Sequence, residues 1–357
     1  MIGFSYLIMN LSRVKVRLSV LLLTCTWLCL VTIPFEGRFN LYIPSIFYEI
    51  YKLSIFLFGI PLYHYVKRRG LSYLNRCLMC FLLLNVAVLI AQHTFGVGIT
   101  KYLGITYDTS FYESRGRPTG LTFNANVVGV IGLFIYIFFD TLVGNYRKYK
   151  LLSVIVVVLS TSKASLLCLL LYISFRRLNV KVLLTSSGIA LVAIIFMYSS
   201  DFYGIATKLD TYLLFVTKIT SGSNISAGDV EGRLWGWYIA TSLLRDNFFG
   251  YGLGTWGDFS STLNPYVQGH PMYIHTSDSA LSHILVEQGI FSLFYFSLLY
   301  KFLPACSGRN LFFFIVIFLF VTNFGFAQSL FYLGIWLFYI AGNEVISQGG
   351  ITNEHSN

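Results

Sequence analysis

The sequence predicts an all-α polytopic membrane protein of about ten transmembrane helices with one large outer loop. Three observations predict it. Of the 357 residues only 11% are charged and 56% are hydrophobic, whereas a soluble domain carries charge at about a quarter of its positions. The apolar residues come in runs rather than amphipathic stripes, and runs of roughly 20 residues cross the hydrocarbon core as helices. Lipid offers backbone groups no partner, so each run must be helical, and the dyad alternation of a membrane barrel is absent. Finally, the basic residues sit in short clusters between the runs.

The expected spans are 18–35, 46–66, 74–93, 124–143, 149–160, 163–176, 181–199, 279–300, 310–326 and 328–343, the clearest being Leu18–Phe35 and Leu311–Phe326. The first is read as a retained helix because it lacks a small-residue cleavage site and more spans follow. The fifth and sixth are short and form a bent pair around Ser160–Lys163. Threading the spans alternately, N-terminus inside, puts a basic cluster in every inner turn: Arg13, Lys15, Arg17; Lys67, Arg68, Arg69, Arg76; Arg147, Lys148, Lys150; Arg176, Arg177, Lys181; and Lys301, Arg309. That is the positive-inside pattern, with both termini cytoplasmic. The formal charge of +10 is thereby accounted for by orientation, and nucleic acid is not expected as a partner.

The chain divides accordingly into 1–123 (N-terminal helices and a first outer loop), 124–199 (central helices), 200–278 (the large outer loop), 279–345 (C-terminal helices) and 346–357 (a cytoplasmic tail, disordered after Gly349). Within the large loop Arg233–Phe249 reads as an interfacial helix with Leu234, Trp235, Tyr238, Ile239, Leu243 and Leu244 on one stripe. Gly250, Gly252 and Gly254 end it. That glycine run is no dinucleotide loop, because no strand precedes it. Cys25, Cys29, Cys77, Cys80, Cys168 and Cys306 fall in spans or inner turns, so no structural disulfide is expected. The Cys77–Cys80 pair lacks the further ligands that zinc needs.

Cations left on the outer side run against the positive-inside rule and call for a reason. Arg117 precedes a span in Arg117-Pro-Thr-Gly-Leu-Thr-Phe-Asn-Ala-Asn126, Lys163 lies in the bend, and Arg233 opens the interfacial helix. Together they suit an anion, arginine offering the forked geometry that phosphate accepts; singly, each also suits snorkelling to lipid headgroups. After the large loop come His275-Thr-Ser-Asp278-Ser279. If the helix starts early, His275, Ser279, His283 and Glu287 share a face. Asp278 and His275, at the mouth, are the candidates for acid–base work, while a capping role for Asp278 stays open. His283 and Glu287 either support the site or hold helices together. Tyr251, Trp256 and Tyr273 are placed to anchor at the interface.

Four pieces of this pattern resemble the O-antigen ligase and polymerase superfamily. They are Arg117-x-x-Gly120-x-x-Phe123-Asn124-x-Asn126-x-x-Gly129; Ser162-Lys163; Gly232-Arg233 with Trp237 and Asn247-x-x-Gly250-x-Gly252-x-Gly254; and Asp278-Ser279, followed after nine residues by Gly289. The resemblance covers about residues 115–300. Ligases carry a histidine where this chain has Asp278, so the likeness is greatest to a Wzy-type polymerase. It implies a metal-independent architecture of the GT-C-like kind in the bacterial inner membrane, with the active site facing the periplasm and no cofactor. It further implies inverting transfer from an undecaprenyl-diphosphate-linked oligosaccharide. Arg117, Lys163 and Arg233 would bind the diphosphate, and Asp278, His275 and Arg233 would be catalytic. Asn124, Asn126, Tyr251, Trp256, Tyr273, His283 and Glu287 would contact glycan or support the site. Membrane lipids, a chain-length regulator and a flippase are the implied companions. A ligase to lipid A-core and a non-enzymatic transporter or flippase are the alternatives.

Overall fold

The computed structural model describes residues 18–32, 42–47, 59–99, 117–122, 124–176, 210, 213, 214, 217, 232–256, 264–267, 279–303, 308–322 and 329–354. The expected span 181–199 and most of 200–278 lie outside them. The described residues contain helices and no strand. The helices are α1 (Leu18–Thr32), α2 (Gly59–Arg69), α3 (Leu71–Phe95), α4 (Ala125–Thr141), α5 (Arg147–Leu159), α6 (Lys163–Arg176), α7 (Gly232–Asp246), α8 (Ala280–Gln288), α9 (Ser292–Phe302), α10 (Gly308–Val321) and α11 (Ser329–Glu354). Among the described residues two stretches are long and apolar enough to cross a membrane, Leu71–Phe95 and Ala280–Phe302, the latter taken through a break.

Three expectations need correction. The stretch read as one span over 279–300 is two helices, parted by a 3-10 turn at Gly289–Phe291. The interfacial helix stops at Asp246 rather than Phe249, because the Asn247 side chain takes the Phe249 amide (3.1 Å) and donates to the Gly250 carbonyl (3.2 Å), winding the chain into a turn. The tail expected to be disordered after Gly349 continues α11 to Glu354; no proline interrupts it, and two glycines weaken a helix without ending it.

An apolar interior also encloses polar side chains, while large apolar side chains lie on the outside. Asn85, Gln92, Ser160, Ser165, Ser282, Glu287 and Gln288 are buried, while Leu83, Leu84, Ile90, Leu167, Leu170, Leu293 and Phe313 are exposed on the outsides of the helices. Exposed apolar area of this extent marks a surface that meets something other than water. The interior between helices is filled by aromatic rings: Phe134 of α4 packs against Phe318 of α10 and against Phe331 and Phe338 of α11.

The bend between α5 and α6 follows from its serines. Ser160 Oγ donates to the Val157 carbonyl (2.7 Å) and accepts from the Ser162 amide (3.3 Å), competing with the helical ladder. Thr161 then takes φ 51°, a region β-branched residues avoid. Gly129 of α4 lies in the crook. A methyl group there would meet the Ser160 and Ser165 hydroxyls at 2.7 Å and Ser162 Cβ at 2.8 Å. Gly129→Val is therefore expected to lower stability by about 1–3 kcal/mol, read as melting temperature in detergent; an unchanged melt would mean α4 and the bend are farther apart.

The bundle has two distinguishable ends. At one, Asp140 near the end of α4 receives Lys150 Nζ (3.3 Å) and the Tyr172 hydroxyl (3.2 Å), and the elbow between α2 and α3 carries Lys67, Arg68 and Arg69. Helix α3 climbs from there and ends beside residues 119–120. Helix α10 climbs too, for Phe314 meets Tyr172 low in α6 while Phe318 meets Phe134 higher in α4. At its top the Thr322 carbonyl accepts from the Ala280 amide (2.7 Å), so α8 starts at that upper end. Trp237 of α7 packs on Phe320 of α10, at 5.0 Å between rings, which puts α7 there as well.

Candidate functional site

Arg117 is half-buried and its guanidinium donates to Asn126 Oδ1 at 3.0 Å. The same oxygen accepts from Ser162 Oγ at 3.2 Å, and Ser162 Oγ lies 3.0 Å from Ser165 Oγ. Thus one amide on the first turn of α4 holds together an arginine from the preceding segment and a serine from the α5–α6 bend. Asn126 is fixed in turn by Asn124, the N-cap of α4, whose Oδ1 accepts from the Asn126 amide at 2.8 Å. This is ordinary capping chemistry, and it leaves the Asn126 side chain free to face the cluster. Lys163, the next residue after Ser162, is exposed. Two of the three expected cations, Arg117 and Lys163, therefore belong to segments that meet at the upper end of the bundle, away from the Lys67–Arg69 elbow. Arg233 is the second residue of α7, one turn before Trp237; its side chain lies outside what the structure describes.

A second constellation is built on the break between α8 and α9. Gly289 turns the chain with φ 53°, and its backbone lies against that of Gly250; a Cβ on either would collide with main-chain atoms of the other segment. The opened helix does not leave its carbonyls bare. Tyr251 N donates to the Val286 carbonyl (2.9 Å), Gly252 N to that of Glu287 (2.8 Å), and Ile290 N to that of Phe248 (3.1 Å). Glu287, fully buried, aims Oε1 back into the loop and accepts from the amides of Thr255 (2.8 Å) and Trp256 (3.1 Å). Its Oε2 faces His283 Nε2 at 3.3 Å. The loop after α7 is thus stitched into the gap between α8 and α9.

These contacts assign several of the expected site residues. His283 and Glu287 form the stitching rather than a mouth facing solvent. Trp256, considered for stacking on sugar, is 3% exposed. Its ring is packed with Ile239, Leu243 and Val286, so sugar stacking is corrected to a place in the core. Tyr251 is half-buried; its hydroxyl donates to the Leu243 carbonyl at 3.4 Å, and burial, with the Asp246 carboxylate second, raises its pKa and keeps it a neutral donor. The helix does not start early enough to carry His275. Ser279 is the N-cap of α8 and its Oγ accepts from the Ser282 amide at 3.4 Å, so the capping role considered for Asp278 is filled by its neighbour. His275, Asp278 and Tyr273 lie outside the described residues; Asp278 is adjacent in sequence to Ser279, and so to the upper end.

Sequence reasoning missed Gln92, Asn85 and His93. Gln92 Oε1 accepts from the amides of both Thr119 (2.9 Å) and Gly120 (2.8 Å), and its Nε2 donates to Thr119 Oγ1 (3.1 Å). Asn85 Oδ1 accepts from the Leu121 amide at 3.1 Å. The signal was present: two amides seven residues apart in an apolar run lie on one helix face and need partners. Comparison with family models, with curated proteins and with solved structures finds no match.

Proposed function

We propose that the chain is an inner-membrane glycosyltransferase that polymerises undecaprenyl-diphosphate-linked oligosaccharide repeat units into O-antigen or a related surface polysaccharide. On this reading about ten helices span the bilayer with both termini cytoplasmic, and the upper end of the bundle faces the periplasm. One observation carries it. Arg117 and the Ser162–Lys163 bend share Asn126 Oδ1 at one end of the bundle, while the basic turns sit at the other. A cation gathered against the positive-inside rule, and held by a dedicated amide, is arranged for an anion.

The chemistry is a single displacement. A hydroxyl oxygen of the acceptor sugar attacks the anomeric carbon of the donor; the bond from that carbon to the diphosphate oxygen breaks, and its electron pair leaves with the diphosphate. The hydroxyl proton passes to the Asp278 carboxylate, or to His275 as second choice. Charge grows on the departing bridging oxygen, and Arg117, Lys163 and Arg233 stabilise it by being in place beforehand. Diphosphate leaves readily, so no strong acid is called for. The donor carbon is inverted.

The broken α8–α9 helix with a buried His–Glu pair is the feature that would favour a transporter, since transporters coordinate cargo at interrupted helices. Here the break is already occupied by the Tyr251 and Gly252 amides, and Glu287 Oε1 by two more. That supports an enzyme over a carrier. The test is purified protein in vesicles with a defined lipid-linked oligosaccharide: a ladder of lengths on the carrier lipid is the expected product. Glycan moved onto a lipid core, or flipped without elongation, would mean a ligase or a flippase. In the same assay Asp278→Asn is expected to slow elongation about 100-fold or more, the range of a lost general base, and a near-wild-type rate would pass the role to His275.

A further inference from the structure

Gln92 and His93 are consecutive at the top of α3, and each grips a different cation-bearing segment. Gln92 spends both lone pairs of Oε1 on the Thr119 and Gly120 amides and one Nε2 hydrogen on Thr119 Oγ1. With Asn85 holding the Leu121 amide, three successive amides just after Arg117 hang from one face of α3. His93 Nε2 donates to the Leu159 carbonyl at 2.8 Å, at the end of α5 and one residue before the bend that carries Ser162 and Lys163. Gln92 is 3% exposed on a helix that is otherwise largely apolar. A buried amide in such a place is costly unless its bonds are made, and every bond it makes is to the Arg117 segment.

We propose that Gln92 is a positioning residue for Arg117, with His93 fixing the neighbouring bend, so that the top of α3 sets the spacing between the two cations. The inference rests on the polymerase reading and deepens it. Gln92 touches no substrate; it acts through Arg117. In Gln92→Leu the Thr119 and Gly120 amides lose their shared acceptor and the guanidinium loses its register, whereas Gln92→Glu keeps an acceptor oxygen at the same reach and the Thr119 hydroxyl reverses to donate.

The experiment measures initial elongation rate against concentration of the lipid-linked oligosaccharide, in vesicles, for the wild type, Gln92→Leu, Gln92→Glu, Arg117→Ala and the double variant. KM for Gln92→Leu should rise about 10-fold, the scale of one loosened charge-assisted contact. Gln92→Glu should stay within about threefold of wild type, and adding Gln92→Leu to Arg117→Ala should change KM no further. A merely structural loss lowers the number of active molecules and leaves KM alone. If the leucine variant does not accumulate, Gln92→Asn, one methylene shorter, takes its place. An unmoved KM, or effects that multiply in the double variant, overturns the positioning role alone. A wild-type protein that fails to elongate overturns the polymerase reading and this inference with it.

Discussion

Arg117→Ala is expected to slow chain elongation about 100- to 1000-fold while leaving the protein at normal levels. The guanidinium is tied to Asn126 Oδ1 at 3.0 Å, a contact at the rim rather than in the packed interior, so its loss removes charge without opening a cavity. Withdrawing one preorganised donor from a developing oxyanion costs about 100- to 1000-fold in rate, enough to erase a ladder. Arg117→Lys keeps the charge but cannot both reach Asn126 and present a forked face to phosphate, so it should recover only part of the loss. Gel profiles of surface glycan, with protein level by blot, read both variants. A full ladder from the alanine variant would remove Arg117 from the site.

Glu287→Leu should be the most destabilising substitution in the C-terminal half. The carboxylate accepts from the buried amides of Thr255 and Trp256, and each amide left without an acceptor costs about 1–3 kcal/mol. Both belong to the loop that fills the α8–α9 break, so the cost falls on one joint. Glu287→Gln, which retains an acceptor oxygen, should melt within a few degrees of wild type. Thermal unfolding in detergent distinguishes the two. A leucine variant that melts like the wild type would show that the loop is held by its backbone contacts to Val286 and Glu287 alone.

The helical character, the bent pair around Ser160–Lys163 and the segregation of cations to two ends were legible because each depends on local sequence: run length, serine chemistry, charge placement. Arg117 and Lys163 could be nominated from their position relative to the runs. Their shared partner could not, since Asn126 and Ser162 are joined only when α4 crosses the bend at Gly129. The break at Gly289 was hidden for a related reason. Apolar content continues through it, and what permits it is a loop about forty residues earlier. Trp256 misled because its class is as common at membrane interfaces as in cores; burial by Ile239 and Leu243 is a tertiary fact. Gln92 carries no charge, yet an uncharged amide in an apolar helix calls for a partner just as firmly.

Trp27 of α1 donates to Gln288 Oε1 at 2.9 Å, across a sequence separation of 261 residues. During synthesis at about 5–20 residues per second, the first helix therefore waits on the order of ten seconds to a minute for the partner that completes it. Until the ribosome has delivered α8, the indole must find lipid headgroups or other company. Assembly of α1 is in this way tied to the arrival of α8, and a chain truncated before α8 would leave α1 without this partner.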